Sequence, residues 1–245
     1  MGQKVALKRL RYFVNMTQEQ KEQNGMDFAR EALLWHQMRH SNVVPLLGVD
    51  VESFGGMPCM VLPWIERGNI MLYLLGKKNR PTLAEVAAGL SYLHDQMVIH
   101  GDLRGWNILI TDDGVAQLSD FGLSVFANER SKSFRSLRGG VEQWLAPEIL
   151  DPEQYGKTSS RPTYTSDVFA FGMVCIELYT QQQPFPDLTT SHQIRKRILD
   201  RGRPERPILM SDTVWSLTTA CWDHDPANRP RIRSVLKTME SIPGS

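Results

Sequence analysis

The stretch His100-Gly101-Asp102-Leu103-Arg104-Gly105-Trp106-Asn107-Ile108-Leu109-Ile110, followed at 120 by Asp120-Phe121-Gly122, decides how the rest of this sequence is read. Asp113-Gly114 is a strong two-residue hairpin signal between apolar strands at 107–111 and 116–119. If that turn closes the hairpin, 112 faces 115 and, pair by pair toward the open end, Asn107 faces Asp120. An amide oxygen and a carboxylate then meet beside the loop that carries Asp102. Hard oxygen donors at one point suit Mg²⁺, which takes one or two carboxylates and completes its shell with phosphate and water. The spacing alone therefore predicts a phosphate-handling site, with Asp112 and Asp113 left at the hairpin tip as turn residues.

Working back toward the start, Lys4 to Leu10 reads as a short strand and Thr17 to Gly25 as a polar, solvated connection. Phe28, Ala32, Trp35 and Met38 then recur at helical spacing, ending near His40-Ser41-Asn42. Val43 to Val51 and Met57 to Leu62 read as strands joined through Ser53-Phe54-Gly55-Gly56. After Pro63 the pattern becomes mainly helical. Thr82-Leu83-Ala84-Glu85 is a capping box, and Leu83, Val86, Ala87, Leu90 and Leu93 mark one face. Val168 to Tyr179 is apolar nearly all round, the pattern of a helix buried mid-domain. These elements predict an α+β chain, a small sheet with one helix followed by a larger helical part.

Composition narrows the function classes. Lys and Arg number 28 against 27 Asp and Glu, so a net charge of +1 offers no field for nucleic acid or an anionic membrane. The longest apolar run, Val168 to Ile176, is too short to span a bilayer, and MGQKVALKRL lacks an apolar h-region; membrane insertion is not expected, and a cytoplasmic or nuclear location follows. Cys59, Cys175 and Cys221 lie far apart and odd in number, as buried thiols do rather than a disulfide framework or zinc site.

The ordered set H-x-D-L-x-x-x-N at 100–107, Asp120-Phe121-Gly122, Ala146-Pro147-Glu148 and Val5-Ala6-Leu7-Lys8 resembles the motif set of the eukaryotic protein kinases, most closely the tyrosine-kinase-like group. The resemblance implies a bilobal fold with a truncated β-sheet lobe over 1–62, a hinge at 63–65 and a helical lobe over 66–245. It implies ATP and Mg²⁺ as cofactors and a protein substrate whose hydroxyl, most simply that of Ser or Thr, accepts the γ-phosphate; it says nothing of oligomeric state. Residue by residue, it implies Asp102 as catalytic base, Asn107 and Asp120 as metal ligands, and Arg104 as the neutraliser of the transferring phosphate. Lys8 would hold the α- and β-phosphates with Glu31 as its partner. Leu62 falls at the gatekeeper, Pro63 and Ile65 at the hinge, and Ala6 with Leu109 would enclose the adenine. Asp167 resembles the residue that steadies the catalytic loop, and Arg229 the partner of Glu148.

The pattern also departs from the family. No G-x-G-x-x-G occurs in the chain, so weaker ATP binding and slower transfer are expected, and the small sheet should carry an unpaired edge. Gly101 stands where an Arg often binds an activation-segment phosphate, so phosphorylation among Ser124, Ser131, Ser133 and Ser136 should matter less as a switch. Two alternatives stay open: a pseudokinase that serves as an interaction module, and a small-molecule phosphotransferase, which also uses H-G-D-L-x-x-x-N.

Overall fold

The computed structural model describes residues 2, 4–9, 17–75, 83–121 and 141–242. Strand β1 (Val5–Arg9), helix α1 (Gln18–Gln37), and strands β2 (Gly48–Asp50) and β3 (Cys59–Pro63) make up a small unit whose antiparallel sheet runs β1-β3-β2. The register sets Ala6 opposite Leu62 and Lys8 opposite Met60. Because side chains alternate along a strand, these four share one face, and Met60 points into the core. The outer edge of β1 has no strand partner among the described residues.

Helix α1 starts eight residues before Met26, so the polar stretch expected as a connection is its first two turns. Its start signal is local. The Thr17 hydroxyl accepts from the Gln20 amide (3.2 Å) while the Gln20 side chain accepts from the Thr17 amide (2.9 Å), a reciprocal cap. Hydrogen bonds at four-residue spacing, Gln18 to Glu22 and Gln23 to Asp27, support turns that bury little. Phe28, Ala32 and Trp35 then turn inward.

The expected strand from Val43 contracts to Gly48–Asp50 for a different reason. Its first residues bond to the other half of the molecule: Val44 N–H donates to Leu118 O, Leu118 N–H to Asn42 O, and the Asn42 amide to Ala116 O, each at 2.9 Å. This three-residue clasp ties the small unit to the helical part.

That part contains α2 (Ile70–Leu74), α3 (Leu83–Asp95), the strands β4 (Ile108–Ile110) and β5 (Ala116–Leu118), then α4 (Pro147–Leu150), α5 (Tyr164–Thr180), α6 (Ser191–Leu199), α7 (Asp212–Cys221) and α8 (Ile232–Glu240). The fold is α+β, as the pattern predicts. Leu83, Val86, Ala87, Leu90 and Leu93 of α3 are all buried, while Thr82 and the serines at 124–136 lie outside the described residues. Every residue of α5 from Ser166 to Leu178 is buried, so it is the post around which the larger part packs. Each large apolar side chain there contributes about 1.5–3 kcal/mol by leaving water. The three cysteines are buried and unpaired, and burial pushes the Cys175 thiol up to about 12. No described helix is long and apolar enough to cross a membrane.

The hairpin departs from the two-residue turn. Ile108 pairs with Leu118 and Ile110 with Ala116, and Thr111 N–H donates to Val115 O at 3.0 Å, leaving a three-residue loop, 112–114. Gly114 at φ +87 supplies the left-handed residue that such a loop needs at its third position. The register therefore slips by one, and Asn107 faces Ser119, whose amide donates to Asn107 O at 2.9 Å.

Far from that hairpin, Arg229 and Glu148 form a two-pronged ion pair at 2.7 and 2.8 Å with both side chains fully buried. Arg229→Met would strand the Glu148 charge and should cost about 3–5 kcal/mol of unfolding free energy, recovered in large part by the double change with Glu148→Leu. Denaturant titration of the two variants measures this.

Candidate active site

Four pieces of chain deliver the polar groups that the sequence singles out. Lys8 comes from β1, Glu31 from α1, Asp102, Arg104 and Asn107 from the loop before β4, and Asp120 from the end of β5. Strand alternation puts Lys8 on the inner face of the sheet. There its ammonium lies 2.9 Å from Asp120 Oδ1 and 3.4 Å from Glu31 Oε1, and 5.1 Å from the centre of the Trp35 ring.

The slipped register does not remove Asp120 from this meeting. One residue past the pair Asn107–Ser119, the backbone turns into the left-handed region at Asp120 (φ +56), a costly conformation for a residue with a side chain and one that clusters at functional sites. The next residue, Phe121, then buries its ring 4.6 Å from Trp35 and 6.3 Å from His100. The turn thus sends Phe121 into the core and leaves the Asp120 carboxylate partly open toward Lys8.

Two carboxylates compete here for one ammonium. Burial pushes the Asp120 carboxyl up, but Lys8, helped by His100 and Arg104, outweighs it, and the pKa ends below the usual range. Burial also pushes Glu31 up; Lys8 only partly offsets this and Asp120 adds to it, so Glu31 stays raised. For Lys8, burial lowers and the two carboxylates raise, and the carboxylates win. The distances agree with these directions, since Asp120 is the carboxylate nearer the ammonium.

The Asn107 amide donates to Asp102 O (2.7 Å) and to Asp102 Oδ2 (3.0 Å), which leaves its amide oxygen as the acceptor. Arg104 Nε stands 3.6 Å from Asp102 Oδ1 and has no hydrogen-bond partner among the described residues. Behind them, Asp167 at the head of α5 accepts from the amides of His100 and Gly101, both at 2.8 Å, and meets His94 Nε2 at 2.9 Å. The chemistry of this donor set fits Mg²⁺: a carboxylate of Asp120 and an amide oxygen of Asn107 are hard oxygen ligands, and neither His nor Cys competes. On the apolar side, Ala6 and Leu62 are direct partners across β1 and β3. Pro63 and Ile65 follow at half burial, and Leu109 comes up half-buried from β4.

Trp35 belongs to the apolar face that the helical spacing of Phe28, Ala32 and Met38 marks. The structure gives it more to do, since its indole N–H donates to Val44 O at 2.7 Å while its ring touches Phe121 and underlies Lys8. Its position four residues after Glu31, one turn along α1, was the available signal.

Against proteins of known family, the model described as protein tyrosine and serine/threonine kinase matches residues 1–239. The chain is 29% identical to mitogen-activated protein kinase kinase kinase A of Dictyostelium discoideum, over 96% of this chain and 25% of that protein. It is 30% identical to human receptor-interacting serine/threonine-protein kinase 1 over 84% of this chain and 33% of that one. With serine/threonine-protein kinase STY46 of Arabidopsis thaliana the identity is 28%, over 88% and 37%. The chain therefore spans well under half the length of the curated relatives it matches. With the family model covering nearly every residue, from the strand of Lys8 to the last helix, the chain belongs to the protein tyrosine and serine/threonine kinase family.

Proposed function

We propose that this chain transfers the γ-phosphate of ATP, with Mg²⁺, to a serine or threonine hydroxyl of a protein substrate. The observation that carries the reading is the convergence of Lys8, Glu31 and Asp120 within 3.4 Å, beside a loop in which Asn107 holds Asp102. Serine/threonine acceptors are supported by the names of the relatives.

In this proposal Asp102 takes the proton of the acceptor hydroxyl. Its carboxylate is oriented by the Asn107 amide on one oxygen and by Arg104 near the other. Asn107 and Asp120 hold the metal, which when bound offsets phosphate charge. Lys8, positioned by Glu31, binds the α- and β-phosphates, and Arg104, uncommitted by hydrogen bonds at Nε, meets the charge of the transferring group. Ala6, Leu62 and Leu109 enclose the adenine, and Pro63 and Ile65 offer it their backbone.

The reading that stands beside it is an interaction module without transfer. A cytoplasmic or nuclear setting without membrane insertion belongs to the main proposal, and the near balance of 28 basic and 27 acidic residues supports a partner other than nucleic acid.

Calorimetry with ATP and Mg²⁺ separates the two readings. Metal-dependent binding is expected in the native chain and should disappear in Asp120→Asn; absence of binding in the native chain would favour the interaction module. Asp102→Asn should keep ATP affinity and lower kcat by about 10²- to 10⁴-fold in a peptide phosphorylation assay. Equal loss of binding and turnover in that variant would remove Asp102 from the role of base.

A further inference from the structure

Trp106 has no part in the site as read so far, yet it sits in the loop that carries Asp102 and Asn107. The Asn107 backbone N–H donates to Arg104 O at 2.9 Å and closes a turn that buries Gly105 and Asn107 and leaves the indole between them 47% exposed. Its N–H has no hydrogen-bond partner among the described residues, whereas the indoles of Trp35 and Trp144 donate to Val44 O and to Glu177. The backbone bond of this turn forms with any residue, and a polar side chain would leave less apolar surface in water, so an indole at the outer corner needs a reason.

The surface beside it is apolar too. Helix α2 turns Ile70 and Leu74 into the core and lays Met71 against the turn: a Cβ added at Gly105 would come within 2.6 Å of Met71 Cγ and Sδ. Leu75, one helical turn beyond Met71, follows on the same side and is 64% exposed. From Ile70 to Leu75 there is no charged side chain. Single exposed apolar residues are ordinary, but a group of them on two adjoining elements beside Asp102 is not. Asn107, next in the chain to Trp106, donates to Asp102 Oδ2 at 3.0 Å. With consecutive Cα atoms about 3.8 Å apart, the indole lies on the order of 10 Å from that carboxylate, the span of about three residues of extended peptide.

We propose that Trp106, together with Met71 and Leu75, selects the protein substrate: this surface receives a large apolar side chain, Leu, Met or Phe, about two to four residues from the serine or threonine whose hydroxyl reaches Asp102. The assignment rests on the kinase reading above. An extended substrate that presents its hydroxyl to Asp102 passes the neighbouring turn on one side of the acceptor. There an apolar side chain and the indole leave water together without the loss of a hydrogen bond. An Arg or Lys would give up water against Met71 and Leu75 and find no carboxylate on α2 in exchange. The charges nearest in the loop, Asp102 and Arg104, face one another at 3.6 Å and leave little field for a charged residue of either sign.

Ser-centred peptides in an alanine and glycine background, carrying Leu, Ala or Arg at one position about two to four residues to either side of the serine, test this in the native chain, Trp106→Ala and Trp106→Glu. In the native chain kcat/KM should be about tenfold higher for Leu than for Ala at one of those positions, the lower end of what an apolar pocket discriminates, because this surface is open. In Trp106→Ala the Leu and Ala peptides should come within about twofold of one another, through KM more than kcat. In Trp106→Glu the Arg peptide should overtake the Leu peptide. A residue that only supported the fold would lower activity on all three alike, and thermal unfolding close to the native temperature shows that both variants fold. A readout independent of turnover is the Trp106 indole N–H resonance in ¹⁵N NMR, assigned by its loss in Trp106→Phe. It should shift with the Leu peptide and hardly at all with the Ala peptide. Equal kcat/KM for the two peptides in the native chain, failure of every Leu peptide as a substrate, a Leu preference that survives Trp106→Ala, or an indole that stands still overturns the selection. A shifting indole in a chain that binds no ATP·Mg²⁺ would instead leave apolar binding at Trp106 standing and bring down the kinase reading, and the role in transfer with it.

Discussion

The bond set at Asp167 is the interaction on which the rest of this structure depends. A carboxylate 2% exposed would be expensive to bury alone, and it is stable here because two backbone amides and an imidazole converge on it. Those amides belong to His100 and Gly101, the residues that open the loop carrying Asp102. The cost of burying the charge is thereby converted into a constraint on where the loop starts. The helix that presents Asp167 is buried on every side, which denies the carboxylate any cheaper arrangement in water.

Helix α5 then holds the loop a second time. Glu177 lies about 15 Å further along the helix axis and takes the Gly105 amide, so the loop is bonded to one rigid rod at both ends. Between these anchors, the Asn107 amide and the Asp102 carboxylate settle on one another. The smaller unit reaches this frame through the clasp of residues 42–44 on β5 and through Trp35, which connects α1 to Phe121 and to Lys8. Lys8 and Asp120 belong to different halves of the fold, and their 2.9 Å ion pair exists because both halves are tied to the same hairpin.

The residue types of the proposed site were legible in the sequence itself. Carboxylate, amide and ammonium groups at fixed spacings carry the proposal of a phosphate site, and the apolar face of α3 and the all-round apolar run of α5 follow from local periodicity, because both depend on short-range geometry that sequence order preserves. The stretch from Thr17, read as a solvated connection because it is rich in Gln and Glu, begins a helix through the reciprocal cap of Thr17 and Gln20. What the tertiary structure alone decided are matters of long-range contact and backbone handedness. The loop at 112–114 took three residues because Gly114 adopted the left-handed conformation, and Asp120 reached Lys8 through its own positive φ rather than by pairing with Asn107. Val43 and Val44 left the sheet because Leu118 offered a better bonding partner, 74 residues away. Glu177 looked like one polar residue in an apolar helix. Only folding could show that it meets a backbone amide 72 positions earlier, since nothing in local sequence encodes a contact between residues so far apart along the chain.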